Sequence, residues 1–422
     1  MSSQTLASAP VSASRHFGAG HRWKVLGVGV AANASVMAGA SGIPTTAVWM
    51  RTGYHFDNAE LGLALGALGF GVALSELPWG VAADRWGDRP VLLGGLASTA
   101  VALLAMALWL APSGGHAPPL GWLMSAMAVV GLLSGSVNGA SGRAVMRWFR
   151  EGERGLAMSI RQTAVPLGGG IGALTLPWLA STVGFAWVYG WVALLCGVSA
   201  WLTWRWLHEP PAAGCAASPA CRAPTANPLR QPGIWRIVAA IGLLCMPQFA
   251  VLTFASVFLH DFAHAGLGVM TATMVAVQGG AMAMRVWSGR WTDRHGNRRA
   301  YLRGCTLVSV AAFLVLAACV QGSAGQVQGP WMILLPAMMA LAGICVSAWH
   351  GVAYAELAAM AGAERAGTAL GMANTAVFLG FFLTPLTLPH WLAATSWPVV
   401  WASTATVALM AWPLFPGTKP SM

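Results

Sequence analysis

Charged side chains are scarce in this chain. They make up 8% of its 422 residues, against 57% hydrophobic. A soluble domain carries about a quarter charged. The shortage excludes a soluble enzyme or a soluble binding domain, because the uncharged stretches are too long and too many for one soluble core. Acid is the scarcer sign: 12 Asp and Glu stand against 23 Lys and Arg, a net charge of +11. Cysteine is sparse and scattered. Cys215 and Cys221 share one loop, which is expected to face a reducing cytosol, so neither a disulfide nor a metal site is expected. No nucleotide-binding loop, metal cluster or nucleophile arrangement is found, and the G-x-G stretches lie inside apolar runs, where they serve packing. Neither an enzyme nor a cofactor is expected.

What the chain does have is about twelve apolar runs. They lie near 25–50, 59–83, 91–111, 120–142, 154–180, 185–207, 235–259, 267–289, 302–320, 330–353, 366–388 and 396–415. Roughly 20 apolar residues cross a bilayer as a helix. The expected fold is therefore an all-α integral membrane protein of 12 transmembrane helices. The arginines (Arg85 and Arg89; Arg143, Arg147, Arg150 and Arg154; Arg205, Arg222, Arg230 and Arg236; Arg290, Arg294, Arg298, Arg299 and Arg303) fall in alternate loops or at their edges, and Arg51 is the clear exception. This alternation is the positive-inside pattern and places both termini in the cytoplasm. The basic excess thus reads as topology, with attraction to anionic lipid as a side effect and no nucleic-acid partner. Residues 1–22 read as a disordered cytoplasmic tail, 23–207 as a first six-helix bundle and 208–234, rich in Pro and Ala, as a cytoplasmic linker. Residues 235–416 read as a second bundle and 417–422 as a cytoplasmic tail.

The two halves echo one another. Gly80, Asp84, Arg85, Gly87 and Arg89 fall on Gly289, Asp293, Arg294, Gly296 and Arg298 at an offset of 209 (289 − 80). Gly155, Ala157, Thr163–Val165, Leu167–Gly168 and Leu174–Pro177 fall on Gly367, Ala369, Thr375–Val377, Leu379–Gly380 and Leu386–Pro389 at 212 (367 − 155), with Gln162 on Asn374. Two echoes at nearly equal offsets imply two pseudo-symmetric six-helix bundles, a parallel-repeat transporter design.

Twelve helices, a long central loop and G-x-x-x-D-R-x-G-x-R between helices two and three resemble the major facilitator superfamily over roughly residues 23–416. Asp88 departs from the basic residue usual in that turn. The resemblance implies alternating access, with Gly80, Asp84, Arg85, Gly87, Arg89, Gly289, Asp293, Arg294, Gly296 and Arg298 as gating turns. In the family, the loop Asp caps the start of helix eleven in the outward-facing state, a contact that a helix N-terminus favours for any carboxylate. Gly80 is expected to permit close helix approach.

Ionisable residues inside the membrane are costly and point to function. Glu76 lies 8 residues before Asp84 (84 − 76), and Arg285 lies 8 before Asp293 (293 − 285), each about 12 Å along its helix. The repeat thus sets a carboxylate and a guanidinium at equivalent positions. Arg161 has Ala373 as its counterpart, so the scaffold does not demand a charge there. Arg285 resembles the helix-eight Arg of anion-carrying members such as nitrate and oxalate transporters, although Glu76 stands where nitrate carriers resemble this chain but have a second Arg. Arg285 and Arg161 are candidate substrate counter-charges. The alternatives are an internal ion pair between Arg285 and Glu76, or snorkelling to the surface. Glu76 and His350 are candidate proton-coupling groups. Asn33, Asn138, Gln248, Gln162 and Asn374 are candidate substrate contacts; Gln278 is a further polar residue at middle depth, and Trp349 is a candidate to stack on substrate. Pro166 and Gly169-Gly170 match part of the drug-antiporter signature and otherwise make a bent, closely packed helix.

The expectation is a monomeric, proton-coupled symporter of the bacterial inner membrane. Its partners are a small organic anion, the proton and the lipid bilayer. The alternative is a proton-driven efflux antiporter for apolar or cationic compounds.

Overall fold

The computed structural model describes residues 20–113, 116–149, 153–208, 227–323, 326–362 and 366–417. Among them, all regular structure is helical, apart from one isolated bridge between Ser113 and His116. The first half holds α1 (His21–Ala40), α2 (Ala47–Tyr54), α3 (Asn58–Trp86), α4 (Asp88–Trp109), α5 (Leu120–Ser134), α6 (Ser136–Trp148), α7 (Arg154–Gln162), α8 (Ala164–Thr182) and α9 (Phe185–Trp206). The second holds α10 (Pro232–Asp261), α11 (Leu267–His295), α12 (Arg298–Gly322), α13 (Trp331–Ser347), α14 (His350–Ala361), α15 (Ala366–Ala394) and α16 (Trp397–Ala411).

Eleven helical spans among the described residues are long and apolar enough to cross a membrane. The twelfth, α16, has 15 residues and continues into a 3-10 turn, Trp412–Leu414. The expected unbroken runs are interrupted in four places. Span one passes from α1 through a 3-10 turn (Ile43–Thr46, containing Pro44) to α2. Span four breaks at Gly135 between α5 and α6, span five at Thr163 between α7 and α8, and span ten at Ala348 and Trp349 between α13 and α14.

The motif glycines explain the turns that end α3 and α11. Gly87 has φ 91° and Gly296 φ 64°, a region in which a Cβ is strained. Each chain therefore reverses directly into the next helix. The turns are pinned by charges of opposite arrangement. Asp88 at the start of α4 accepts from Arg143 Nε at 2.6 Å and Arg147 at 3.5 Å on α6, and Arg143 also donates to the Ala83 carbonyl. In the second half, Arg299 at the start of α12 donates to Glu356 on α14 at 2.7 Å. The departure at Asp88 thus swaps which helix carries the acid.

The bundles meet along two pseudo-equivalent seams, α3 against α15 and α11 against α8. In the first, Gly62, Gly66 and Gly69 form a flat stripe on α3. A Cβ on Gly62 would lie 2.0 Å from the Pro385 carbonyl oxygen, and one on Gly69 2.9 Å from Phe381 main chain. Only glycine permits this backbone approach. At the end of the molecule bearing Arg51, the 3-10 turn and α2 pack on α10. There Arg51 binds Asp261 through both oxygens at 2.6 Å each, and Ser256 donates to the Pro44 carbonyl at 3.3 Å. Towards the other end, a Cβ placed on Gly80 or Gly289 meets no atom within 4 Å. The close approach expected at Gly80 is absent in this conformation, because the bundles are drawn together at the Arg51 end.

Candidate functional site

Mid-way along the seams, the polar residues singled out by sequence converge. Glu76 on α3 is buried. Its Oε1 accepts from Asn138 Nδ2 at 3.1 Å and from Asn374 Nδ2 at 3.0 Å, while its Oε2 has no partner. Asn374 lies on α15, so this carboxylate bridges the bundles. Tyr354 on α14 donates to Asn374 Oδ1 at 2.8 Å, which fixes that amide's orientation.

Arg161, 3% exposed, is wrapped by its own half. Its Nη2 donates to the Asn138 carbonyl at 2.5 Å, Asn138 Oδ1 at 2.8 Å and Ser141 Oγ at 3.0 Å, with Asn33 Oδ1 at 3.4 Å. Its Nε reaches Ser141 Oγ at 3.1 Å. Asn33 in turn donates to Ser141 Oγ and the Gly29 carbonyl, both at 2.8 Å. Asn138 therefore sits between Arg161 and Glu76, its oxygen to one and its nitrogen to the other.

Arg285 on α11 is equally buried, at 8% exposed, and far less satisfied. It donates from Nη1 to the Gln162 main-chain carbonyl at 3.2 Å, and its Nε has no partner. That carbonyl is free for a local reason. The next helical donor to it would be residue 166, which is proline and has no N–H. Pro166 and the break at Thr163 thus create the acceptor that Arg285 uses. The alternative, a Glu76–Arg285 ion pair, is not formed: the carboxylate is held by two amides and the guanidinium by main chain.

These contacts obey the repeat. Offsets of 209 and 212 carry Glu76 to Arg285 and Gln162 to Asn374. Glu76 meets Asn374 across one seam, and Arg285 meets Gln162 across the other. The same pair of positions is used twice with charge reversed, through a side-chain amide in one seam and a main-chain carbonyl in the other.

Further candidates line the second half. Gln248 is buried on α10 with Oε1 unpartnered. Gln278 is buried on α11, its side chain packed where only Gly169 leaves room. Trp349 is fully buried and stacks on His350 at 3.9 Å, so the ring face considered for substrate is covered. His350 lies between Trp349 and Tyr354, with Nδ1 unpartnered. Of the gating residues, Arg89 donates to the Trp204 carbonyl at 2.9 Å. Asp293 pairs with Arg298 at 2.8 Å inside its own turn. Arg85 and Arg294 are exposed. The side chain of Asp84 lies outside the described residues, as do residues 1–19, most of the linker (209–226) and 418–422.

Three participants escaped sequence reasoning. Ser141 is three residues after Asn138 and shares its helix face. Tyr354 is four after His350, on one face of α14. Asp261 is the partner of Arg51, whose break in the charge alternation was the available signal.

Comparisons with known proteins agree with this architecture. The family model described as Major Facilitator Superfamily matches residues 29–385 and, in a second match, 280–421. An uncharacterized MFS-type transporter of Mycobacterium tuberculosis is 31% identical over 403 residues, covering 94% of this chain and 86% of that protein. The hexuronate transporter of Bacillus subtilis is 24% identical over 189 residues, covering 44% of this chain and 42% of its own length. Among solved structures, a bacterial homologue of the human lysosomal transporter Spinster, in an inward-facing and occupied conformation, superposes with TM-score 0.70 at 15% identity, covering 94% of this chain and 96% of that one. Fold, paired turns and sequence together identify the chain as a multi-pass membrane transporter that belongs to the Major Facilitator Superfamily.

Proposed function

We propose that this transporter imports a small organic anion of the carboxylate class in symport with protons, across a bacterial inner membrane, with both termini cytoplasmic. The observation that carries the reading is the charge of the mid-membrane site. Two guanidiniums and one carboxylate are buried in this region, and the guanidinium of Arg285 is short of acceptors. An uncompensated cation at this depth is costly, and a carboxylate bound in the fork of Arg285 removes the cost. Gln248, with its free Oε1, has the converse requirement, for a donor, and suits a hydroxyl or protonated group on the substrate. Partial similarity to a hexuronate transporter supports an organic anion.

Glu76 is the proton carrier in this reading. It is held by two neutral amides and keeps one oxygen free, so it can hold a proton without breaking an ion pair. Arg161 orients Asn138 and so keeps the Glu76 pocket assembled. With arginine-rich loops on the cytoplasmic side, the Arg51–Asp261 end is periplasmic, and the conformation described is closed there.

The test is uptake by proteoliposomes offered carboxylates, sugars and cationic dyes, with and without an imposed pH gradient. A carboxylate is expected to accumulate only with the gradient, and Glu76→Gln is expected to exchange substrate without accumulating it. Gradient-driven accumulation by Glu76→Gln would place coupling elsewhere. Dye export in place of carboxylate uptake would establish the antiporter alternative.

A further inference from the structure

Away from the polar mid-membrane cluster lies a cleft of about 610 Å³, between α11 and the break that joins α7 to α8. Thr163 contributes from the first bundle, and two strips of α11 form the rest. One strip runs Val286, Arg290, Arg294 and the other Trp287, Trp291, His295; each is spaced four residues apart, so each follows one line on the helix. Val286 is 37% and Trp287 51% exposed, within a span long and apolar enough to lie in the bilayer. Trp287 stacks on Trp291 at 5.9 Å, and Trp291 lies 5.0 Å from His295, whose Nδ1 is engaged by the Trp291 carbonyl. Arg290 and Arg294 are exposed, with no hydrogen bond or ion pair among the described residues. Along about 12 Å of helix, from Val286 to Arg294, the cleft changes from apolar and aromatic to doubly cationic.

We propose that this cleft binds an anionic phospholipid, with the headgroup phosphate on Arg290 and Arg294 and an acyl chain along Val286 and Trp287. Charge complementarity selects the headgroup: two unpaired guanidiniums at the end of a membrane span are a phosphate site, and basic pockets between spans hold acidic lipids. The walls select the source. A water-soluble anion gains nothing from half-exposed tryptophan and valine, whereas an acyl chain covers them. The site also spans the bundle boundary. Thr163 follows Gln162, the residue whose carbonyl holds Arg285, so an occupant bridges both walls in the conformation described.

The experiment is native mass spectrometry of the full-length protein titrated with phosphatidylglycerol or phosphatidylcholine of identical chains. Wild type is expected to bind phosphatidylglycerol in preference. Each arginine near the surface contributes about fivefold, so Arg290→Gln weakens phosphatidylglycerol about fivefold and Arg290→Gln with Arg294→Gln about 30-fold. The double Lys variant at the same positions retains most of the preference. Trp287→Ala weakens both lipids alike. Equal binding of the two lipids by wild type, or undiminished phosphatidylglycerol binding by Arg290→Gln, overturns the proposal. So does competition by glycerol phosphate as strong as by the intact lipid, which would make this a site for soluble anions. If the double Gln variant does not fold, Arg290→Gln alone decides the matter.

Discussion

Arg161 and Arg285 are the same side chain, buried at mid-membrane in opposite halves, and their surroundings differ. Arg161 is enclosed by Asn33, Asn138 and Ser141, all from its own bundle, through several bonds of 2.5–3.4 Å. Arg285 has one main-chain acceptor, supplied by the opposite bundle, and an unpartnered Nε. A guanidinium saturated by its own half is part of the scaffold. One left short of acceptors at the junction of two moving halves is available to a ligand, and its single bond can be exchanged for a better one. The contrast also separates two costs of burying charge. At Arg161 the protein meets the cost with its own polar groups; at Arg285 most of the cost is left unmet, as the proposed anion site requires.

The sharpest way to break this contrast is to remove each arginine in turn. Arg285→Ala is expected to lower anion uptake 100-fold or more with little change in melting temperature, and Arg285→Lys to recover little, because an ammonium lacks the planar fork. Arg161→Ala is expected instead to destabilise the fold by about 3 kcal/mol, since it strands buried acceptors on Asn138 and Ser141; thermal melting in detergent reads this directly. Normal melting of Arg161→Ala together with collapse of Arg285→Ala would reverse the assignment. A smaller effect is expected from Asp261→Asn, which weakens the bidentate contact to Arg51. Opening at that end should become easier, changing the exchange rate several-fold while substrate affinity stays within about twofold. An affinity change without a rate change would remove the latch role. The smallest effect concerns the acceptor of Arg285. Pro166→Ala returns an N–H that competes for the Gln162 carbonyl. Substrate affinity should shift by about fivefold, the worth of one hydrogen bond of about 1 kcal/mol, with stability maintained. Unchanged affinity would show that this carbonyl does not position Arg285.

Much of the fold was legible because its signals are local or periodic. Spans follow from apolar length, and the turns at Gly87 and Gly296 follow from motif glycines that take positive φ. The breaks inside spans one, four, five and ten were less legible, because a hydrophobic run does not show where a helix is interrupted. Pro166 was visible and read as a bend. Its consequence, a carbonyl released to a side chain of the other bundle, depends on Arg285 standing opposite. Ser141 and Tyr354 were hidden by their ordinariness, since hydroxyls in membrane helices usually bond their own main chain.

By itself, the sequence determined a twelve-span duplicated bundle and paired residue 76 with 285 and 162 with 374 as equivalents. These are consequences of hydrophobic length and of a repeat carried in the covalent chain. Only the tertiary structure decided that Glu76 meets Asn374 while Arg285 meets Gln162, that Glu76 and Arg285 do not pair, and that Arg51 locks onto Asp261. Each of these contacts joins the two halves. Their partners are set by how two separately folded bundles are seated against one another, and no spacing along one chain specifies that placement.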